Sequence, residues 1–245
     1  VPRFLVDLPL AEGLEAPLPA AAARHVQVLR LQPGDGLTLF DGSGSEWEAQ
    51  VLLMGRTEVR VRVGAARAVD RELPLPITLA IGMPANERMD WLVEKATELG
   101  VSTLQPLVCE RSVLRMSGER ADKKLAHWQG VAAAAAEQCG RAALPRLLPV
   151  RSFAEWQRKL LPDAAEARFV LSLGQGTLPF AEALPPALRA GRGLLFLSGP
   201  EGGLGDTEEA QARAAGLQPI TLGPRVLRAE TAALTALAAV AALFG

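Results

Sequence analysis

Leu194-Leu-Phe-Leu-Ser-Gly199-Pro-Glu-Gly-Gly-Leu-Gly205 runs from a wholly apolar stretch straight into a glycine-rich loop. If that stretch is a strand of an open α/β sheet, the loop lies outside the strand's carboxyl end, where such sheets bind their ligands. No Lys-Ser/Thr follows the glycines and the GxGxxG spacing is missing, so neither type of phosphate cradle is present. Glu201 would repel a phosphate; it suits a ligand that carries N–H donors or a positive charge, such as an ammonium or sulfonium group. A plain glycine-rich connection with left-handed turns accounts for the same residues.

A second segment, Leu222-Gly-Pro-Arg-Val-Leu-Arg-Ala-Glu-Thr-Ala232, again leads from a strand end into a helix start. Arg225, Arg228 and Glu230 are costly to bury unpaired, so they either pair with one another or face a site. Stabilisation of the helix start by Glu230 alone is the competing account.

The elements that must hold these loops follow from periodicity. After Glu72-Leu-Pro-Leu-Pro76, whose prolines break regular structure, apolar runs (Ile77 to Ile81, Leu104 to Cys109, Phe169 to Leu173, Leu194 to Leu197, Pro219 to Leu222) alternate with helical periods. The helical stretches are Glu87 to Leu99, Ala121 to Gln138, Ser152 to Leu160, Pro179 to Leu188, Asp206 to Ala215 and the alanine-rich C-terminal segment. Such alternation predicts an α/β domain with a mostly parallel sheet covered on both faces. Ser152/Glu155 and Asp206/Glu209 read as capping boxes. Upstream, Phe4 to Val6, Gly36 to Phe40, Glu46 to Leu53 and Glu58 to Val63 read as strands of a small barrel, the later two with an apolar residue at every second place. Ala20 to Leu31 is helix-permissive and is expected outside the barrel. The boundaries are therefore 1–72 for the barrel domain and 75–245 for the α/β domain.

With 245 residues, 49% apolar content and a net charge of −1, the chain has a genuine core but no global positive field, so any nucleic-acid site is a local patch. Cys109 and Cys139 have no CxxC spacing, which argues against a disulfide framework or a zinc site. His25 and His127 have no neighbouring Ser or Cys for a nucleophilic triad. No basic stretch followed by a long apolar run marks a leader, and Ala232 to Phe244 is too short to cross a bilayer. A cytoplasmic protein without membrane or metal partners is expected.

Taken together, Gly199-Pro-Glu-Gly-Gly203, Leu222-Gly-Pro-Arg-Val-Leu-Arg228 and Glu230-Thr-Ala-Ala233 resemble the SPOUT methyltransferases, in particular the ribosomal RNA small subunit methyltransferase E family, which forms 3-methyluridine in 16S rRNA. Val28 to Asp35, Arg88-Met-Asp-Trp91, Lys95 to Gly100, Glu110 to Arg115 and Glu137-Gln-Cys-Gly-Arg141 extend the resemblance in order over almost the whole chain. Leu204-Gly205 and Ala229 depart from the family's usual residues; the latter removes a hydroxyl near the site.

The resemblance implies a C-terminal trefoil knot, an exception to the rule against threading, and an N-terminal PUA-like RNA-binding barrel. It implies a homodimer acting on 16S rRNA in the small ribosomal subunit, with S-adenosyl-L-methionine as cofactor. The donor would lie among Leu173, Gly174, Leu197, Ser198, Gly199, Pro200, Glu201, Gly202, Leu222, Gly223, Val226, Leu227, Arg228 and Thr231. Arg225, Arg228 and Glu230 are the catalytic candidates, the arginines for anion stabilisation or for holding the target phosphate and Glu230 for orienting one of them or taking a proton. Arg24, Arg30, Arg88, Arg111, Arg115 and Arg141 are the candidates for RNA contact. An assembly factor without catalysis, and methylation of tRNA or of a ribose 2′-oxygen, remain the alternatives.

Overall fold

Alternation builds the first unit. The computed structural model describes residues 1–85, 87–161 and 163–244. β1 (Arg3–Leu5), β2 (Glu15–Pro17), β3 (Gly36–Phe40), β4 (Ser45–Met54) and β5 (Val59–Ala68) form a five-stranded sheet in the order β1-β3-β4-β5-β2. Ala49 and Val51 of β4 and Val59, Val61 and Val63 of β5 point inward with Phe4, Leu37 and Leu39, while Glu48, Gln50 and Arg62 face water. The α1 helix (Ala20–Val28) does not stand apart as expected: Ala22, Ala23 and Val26 are buried in this same core. The short helix closes an open end of the apolar interior, so only Arg24 and its neighbours on the outer face remain exposed.

Residues 133–144 also belong to this unit, which comprises Val1–Glu72 and Ala133–Leu144. Their helical periodicity alone groups them with the α/β domain. The physical reason is a set of ionic and backbone contacts. Arg3 Nη1 donates to the carbonyls of Ala136 and Glu137 at 2.9 and 3.1 Å, and Glu137 Oε1 accepts the Leu5 N–H at 2.8 Å. Arg71 donates to the Gly140 carbonyl, and Arg141, 4% exposed, pairs with Glu72. Arg141 is thus spent inside the fold, which corrects its assignment to RNA contact.

At the centre of these contacts Glu46, also 4% exposed, receives Arg3 Nη2 at 2.5 Å, Arg67 Nη2 at 3.0 Å and Arg71 Nη1 at 3.2 Å. Burial pushes the Glu46 carboxyl up, but hydrogen bonds from Arg67 and Arg3 and the surrounding positive charge outweigh it and hold it below the usual carboxylate range. A lowered folded-state pKa contributes stability above the unfolded value and loses it as pH falls through the folded one. We therefore expect Glu46→Gln to cost about 3 kcal/mol near neutrality, because it leaves Arg3 without its charge partner. The loss of wild-type stability on acidification should be shallower in the variant. Urea titrations at neutral and acidic pH check both; equal pH slopes would rule the account out.

In the second unit, Leu73–Ala132 and the residues from Pro145 on, the strands are β6 (Ile77–Gly82), β7 (Thr103–Val108), β8 (Arg146–Leu147), β9 (Arg151–Ser152), β10 (Glu166–Leu171), β11 (Leu178–Pro179), β12 (Gly193–Ser198) and β13 (Gln218–Thr221). They pair in parallel in the order β11-β13-β10-β12-β6-β7-β8, with β9 also on β7. The helices are α2 (Glu87–Glu98), α3 (Gly118–Cys139, which runs on into the first unit), α4 (Phe153–Arg158), α5 (Phe180–Arg189), α6 (Asp206–Ala214) and α7 (Ala229–Ala241).

The continuous apolar run of β12 is explained by its two covered faces. Leu194 and Phe196 join a core with Met89 and Leu92 of α2, Trp128 of α3, Leu184 of α5 and Leu237 of α7; Leu195 and Leu197 join another with Phe153 and Trp156 of α4 and Ala212 of α6. Ser152 caps α4 in a capping box with Glu155, as its sequence predicts. α6 differs by one residue. Its N-cap is Gly205, whose N–H donates to Glu208 Oε2 at 3.0 Å, while Glu208 Oε1 takes the Glu110 N–H at 2.8 Å. Glu209, the expected partner, is drawn instead to Ser172.

Candidate donor-binding and active site

β10, β12 and β13 are neighbours whose carboxyl ends open side by side, and the loops leaving them enclose a cleft of about 340 Å³. That lies in the range of roughly 300–1,000 Å³ usual for small-molecule sites. Leu173 and Gly174 follow β10, Ser198, Gly199, Pro200 and Glu201 follow β12, and Leu222, Gly223, Arg225, Val226 and Leu227 follow β13; all line the cleft. Three stretches separated by tens of residues therefore converge as the resemblance implies.

Other expected donor contacts lie elsewhere. Leu197 is fully buried in the core beneath the cleft, because its side chain points to the face covered by α4 and α6. Gly202, Arg228 and Thr231 are outside the lining. The Gly202 carbonyl accepts Arg111 Nη1 at 3.4 Å, Arg228 is the N-cap of α7, and Thr231 lies exposed on that helix. Glu230 does not reach the cleft either: it is 6% exposed and faces Arg88, 3.9 Å from its Nε. A helix turns about 100° per residue, so the wall made by Ala229 and Ala232 excludes the side chain between them. This corrects the expectation that Glu230 touches the reacting atoms.

Several lining residues were not singled out from sequence. Ser172, at the end of β10, accepts the Gly174 N–H at 2.9 Å and donates to Glu209 Oε1 at 2.7 Å; Glu209 in turn binds Arg213 Nη2 at 2.6 Å. Arg213 Nη1 reaches the Gln175 carbonyl at 3.1 Å, so a helix 30-odd residues downstream fixes the loop after β10. Asp206 and Arg111 meet at 3.2 Å on another wall. A serine directly after an apolar strand was the available signal for Ser172. Nothing local signals its partner Glu209, whose spacing matched a cap equally well.

The lining suits a compact cationic ligand with an apolar ring. Leu171, Ile220, Leu222 and Leu227 supply apolar surface, backbone groups of the three loops supply donors and acceptors, and Glu201, Asp206 and Glu209 supply negative charge. Close backbone packing preserves the space: a Cβ on Gly199 would lie 2.6 Å from Leu204 N, and one on Gly82 would lie 2.5 Å from Pro200 N. Arg225 is exposed at the cleft and makes no hydrogen bond or ion pair among the described residues. Cys109, just behind the site at the end of β7, has its thiol pushed up to about 12, chiefly by burial and also by Glu208, so it is no nucleophile. No helix among the described residues is long and apolar enough to cross a membrane.

The RNA candidates divide. Arg24 and Arg30 are exposed on the first unit, and Arg88, Arg111 and Arg115 are exposed on the second. Arg30 holds the left-handed backbone conformation, φ 56°, that ends α1. Arg111 and Arg115 each also hold backbone carbonyls, of Gly202 and Glu110.

Residues 71–241 match the family described as RNA methyltransferase domain, and residues 18–64 match the RNA methyltransferase PUA domain. The ribosomal RNA small subunit methyltransferase E of Bacillus subtilis is 31% identical over 97% of this chain and 95% of its own. The enzyme of the same name from Neisseria gonorrhoeae, solved bound to S-adenosylmethionine, superposes with TM-score 0.88 at 36% identity, covering 100% of this chain and 98% of that one. A methyltransferase from Legionella pneumophila, also solved with that cofactor, gives TM-score 0.90 at 32% identity over 98% and 97%. Matched at this identity and coverage in sequence and in structure, the chain belongs to the ribosomal RNA small subunit methyltransferase E family, the S-adenosylmethionine-dependent methyltransferases of ribosomal RNA.

Proposed function

We propose that the protein methylates N3 of one uridine in the 16S rRNA of the small ribosomal subunit, in the cytoplasm, as a homodimer with a trefoil-knotted donor domain. The observation that carries this reading is the exposed Arg225 guanidinium, without a partner among the described residues, lining a cleft whose three loops suit S-adenosylmethionine. Bound there, the donor supplies an electrophilic methyl group on a sulfonium sulfur.

The chain's own residues do the rest. Leu222 and Leu227 offer apolar walls to the adenine, and the negatively charged lining favours the sulfonium cation. Attack by N3 requires that its proton pass to solvent, which leaves negative charge spread over the base oxygens until the methyl group is taken up. Arg225 is placed to stabilise that charge as a preorganised donor. Arg228 at the head of α7 and the exposed Arg24, Arg30, Arg111 and Arg115 hold phosphates. For the homodimer the support is apolar surface left open on the second unit: Trp91 is 47% exposed, Val113 76% and Val226 85%.

Incubation with labelled S-adenosylmethionine and small subunits lacking their modifications, followed by nucleoside mass spectrometry, tests the reading. The expected result is a single 3-methyluridine in 16S rRNA. A methylated ribose or transfer only to tRNA would move the target, and donor binding without any transfer would favour an assembly role.

A further inference from the structure

Glu230 lies in the first turn of α7, yet it makes none of the hydrogen bonds that a helix-start role would give it. Its Oε2 is buried and has no partner among the described residues. Its Oε1 stands 3.9 Å from Arg88 Nε. The Nη1 of that same guanidinium stands 3.6 Å from Glu201 Oε1, the carboxylate of the donor loop, which also takes the Ala85 N–H at 2.7 Å. Both ionic separations exceed the roughly 2.7–2.9 Å of a charge-assisted hydrogen bond. One guanidinium is thus shared between two carboxylates and committed to neither. A buried carboxylate with a bare oxygen is unfavourable by itself, so its presence here calls for a role in holding Arg88.

We infer that Glu230 is a positioning residue for donor binding that acts through Arg88, keeping the guanidinium opposite Glu201 so that the 199–203 loop holds its shape. The inference deepens the methyltransferase reading and rests on it. Without Glu230, Arg88 moves fully onto Glu201 and draws that carboxylate away from Ala85. Without Arg88, the acids of α7 and the loop repel each other. Either change distorts the loop that contacts the donor, although neither Glu230 nor Arg88 lines the cleft.

A double-mutant cycle on the full-length protein separates this from independent effects. Calorimetric titration with S-adenosylmethionine is performed on wild type, Glu230→Gln, Arg88→Met and the double variant. Each single change should weaken donor binding about tenfold, and the double variant should be no weaker than the worse single one. Melting temperatures near wild type would show that the folds are intact. If Glu230→Gln does not fold, Glu230→Asp, which withdraws the carboxylate by one methylene, takes its place in the cycle. Multiplying effects, or donor affinity unchanged in the Glu230 variant, would overturn the inference while leaving the methyltransferase reading in place. A wild-type protein that binds no donor would overturn both.

Discussion

Gly199→Ala should lower methyl transfer by about 100-fold and lower the melting temperature of the protein. The added Cβ would stand 2.6 Å from Leu204 N and 2.8 Å from the Gly203 carbonyl carbon, and both are backbone atoms that no rotamer change can move. The loop must therefore open. Overpacking of this kind costs about 1–3 kcal/mol, or a drop of roughly 2–6 °C for a chain of this size. Activity suffers more, since displacing site groups by about 1 Å costs on the order of 100-fold in rate. Gly82→Ala should behave alike, because its Cβ would meet Pro200 N and Cδ at 2.5 Å from the other side.

The contrast is Gly203→Asn. Gly203 has φ +71° but open space around its would-be side chain, and asparagine tolerates that conformation at about 1 kcal/mol. Thermal melts and donor titrations on the three variants check the ranking. Equal losses at Gly199 and Gly203 would mean that backbone conformation, and not crowding, governs the loop.

Arg225→Ala should lower kcat by about 100- to 1,000-fold, the usual effect of removing one preorganised donor to a developing anion. Because Arg225 is exposed and bonded to nothing among the described residues, stability should stay within about 0.5 kcal/mol of wild type. Donor affinity should change by less than about twofold, since an interaction made only in the transition state lowers kcat and not ground-state binding. Arg225→Lys should recover part of the rate, as a point charge without the planar fork. Arg228→Ala should cost less, because Arg228 lies outside the cleft lining. Single-turnover kinetics with small subunits decide it. A donor Kd that rises as much as kcat falls would place Arg225 on the donor instead of the target base.

Periodicity made most of the α/β unit legible. The apolar run of β12, short and leading into glycines, reads as a strand buried on both faces, and the helical periods between strands then cover those faces. The loops after β12 and β13 each admitted a purely structural account, and it was their joint resemblance to one family that made them legible as a site. Less was legible where chemistry depends on partners distant in sequence. Arg141 looks like a surface cation until Glu72 is seen beside it; Glu209 looks like a cap until Ser172 claims it. Residues 133–144 follow the helical pattern of the α/β unit, but Arg3, Glu46 and Arg71 tie them to the barrel.

While the loop at Leu173-Gly174 followed only from the family resemblance, the sequence by itself determined the strand and helix periods, the alternating strands before residue 72, and the two loops that follow apolar strands at Gly199 and Gly223. These depend on local spacing, which is written in the order of residues. Tertiary structure alone decided that Leu197 lies under the cleft instead of in it, that Arg225 has no partner among the described residues, and that Glu230 turns to Arg88. Those outcomes depend on which face of an element meets which neighbour, and on competition among many arginines for few buried carboxylates. That competition is settled by distance and desolvation after the chain has folded.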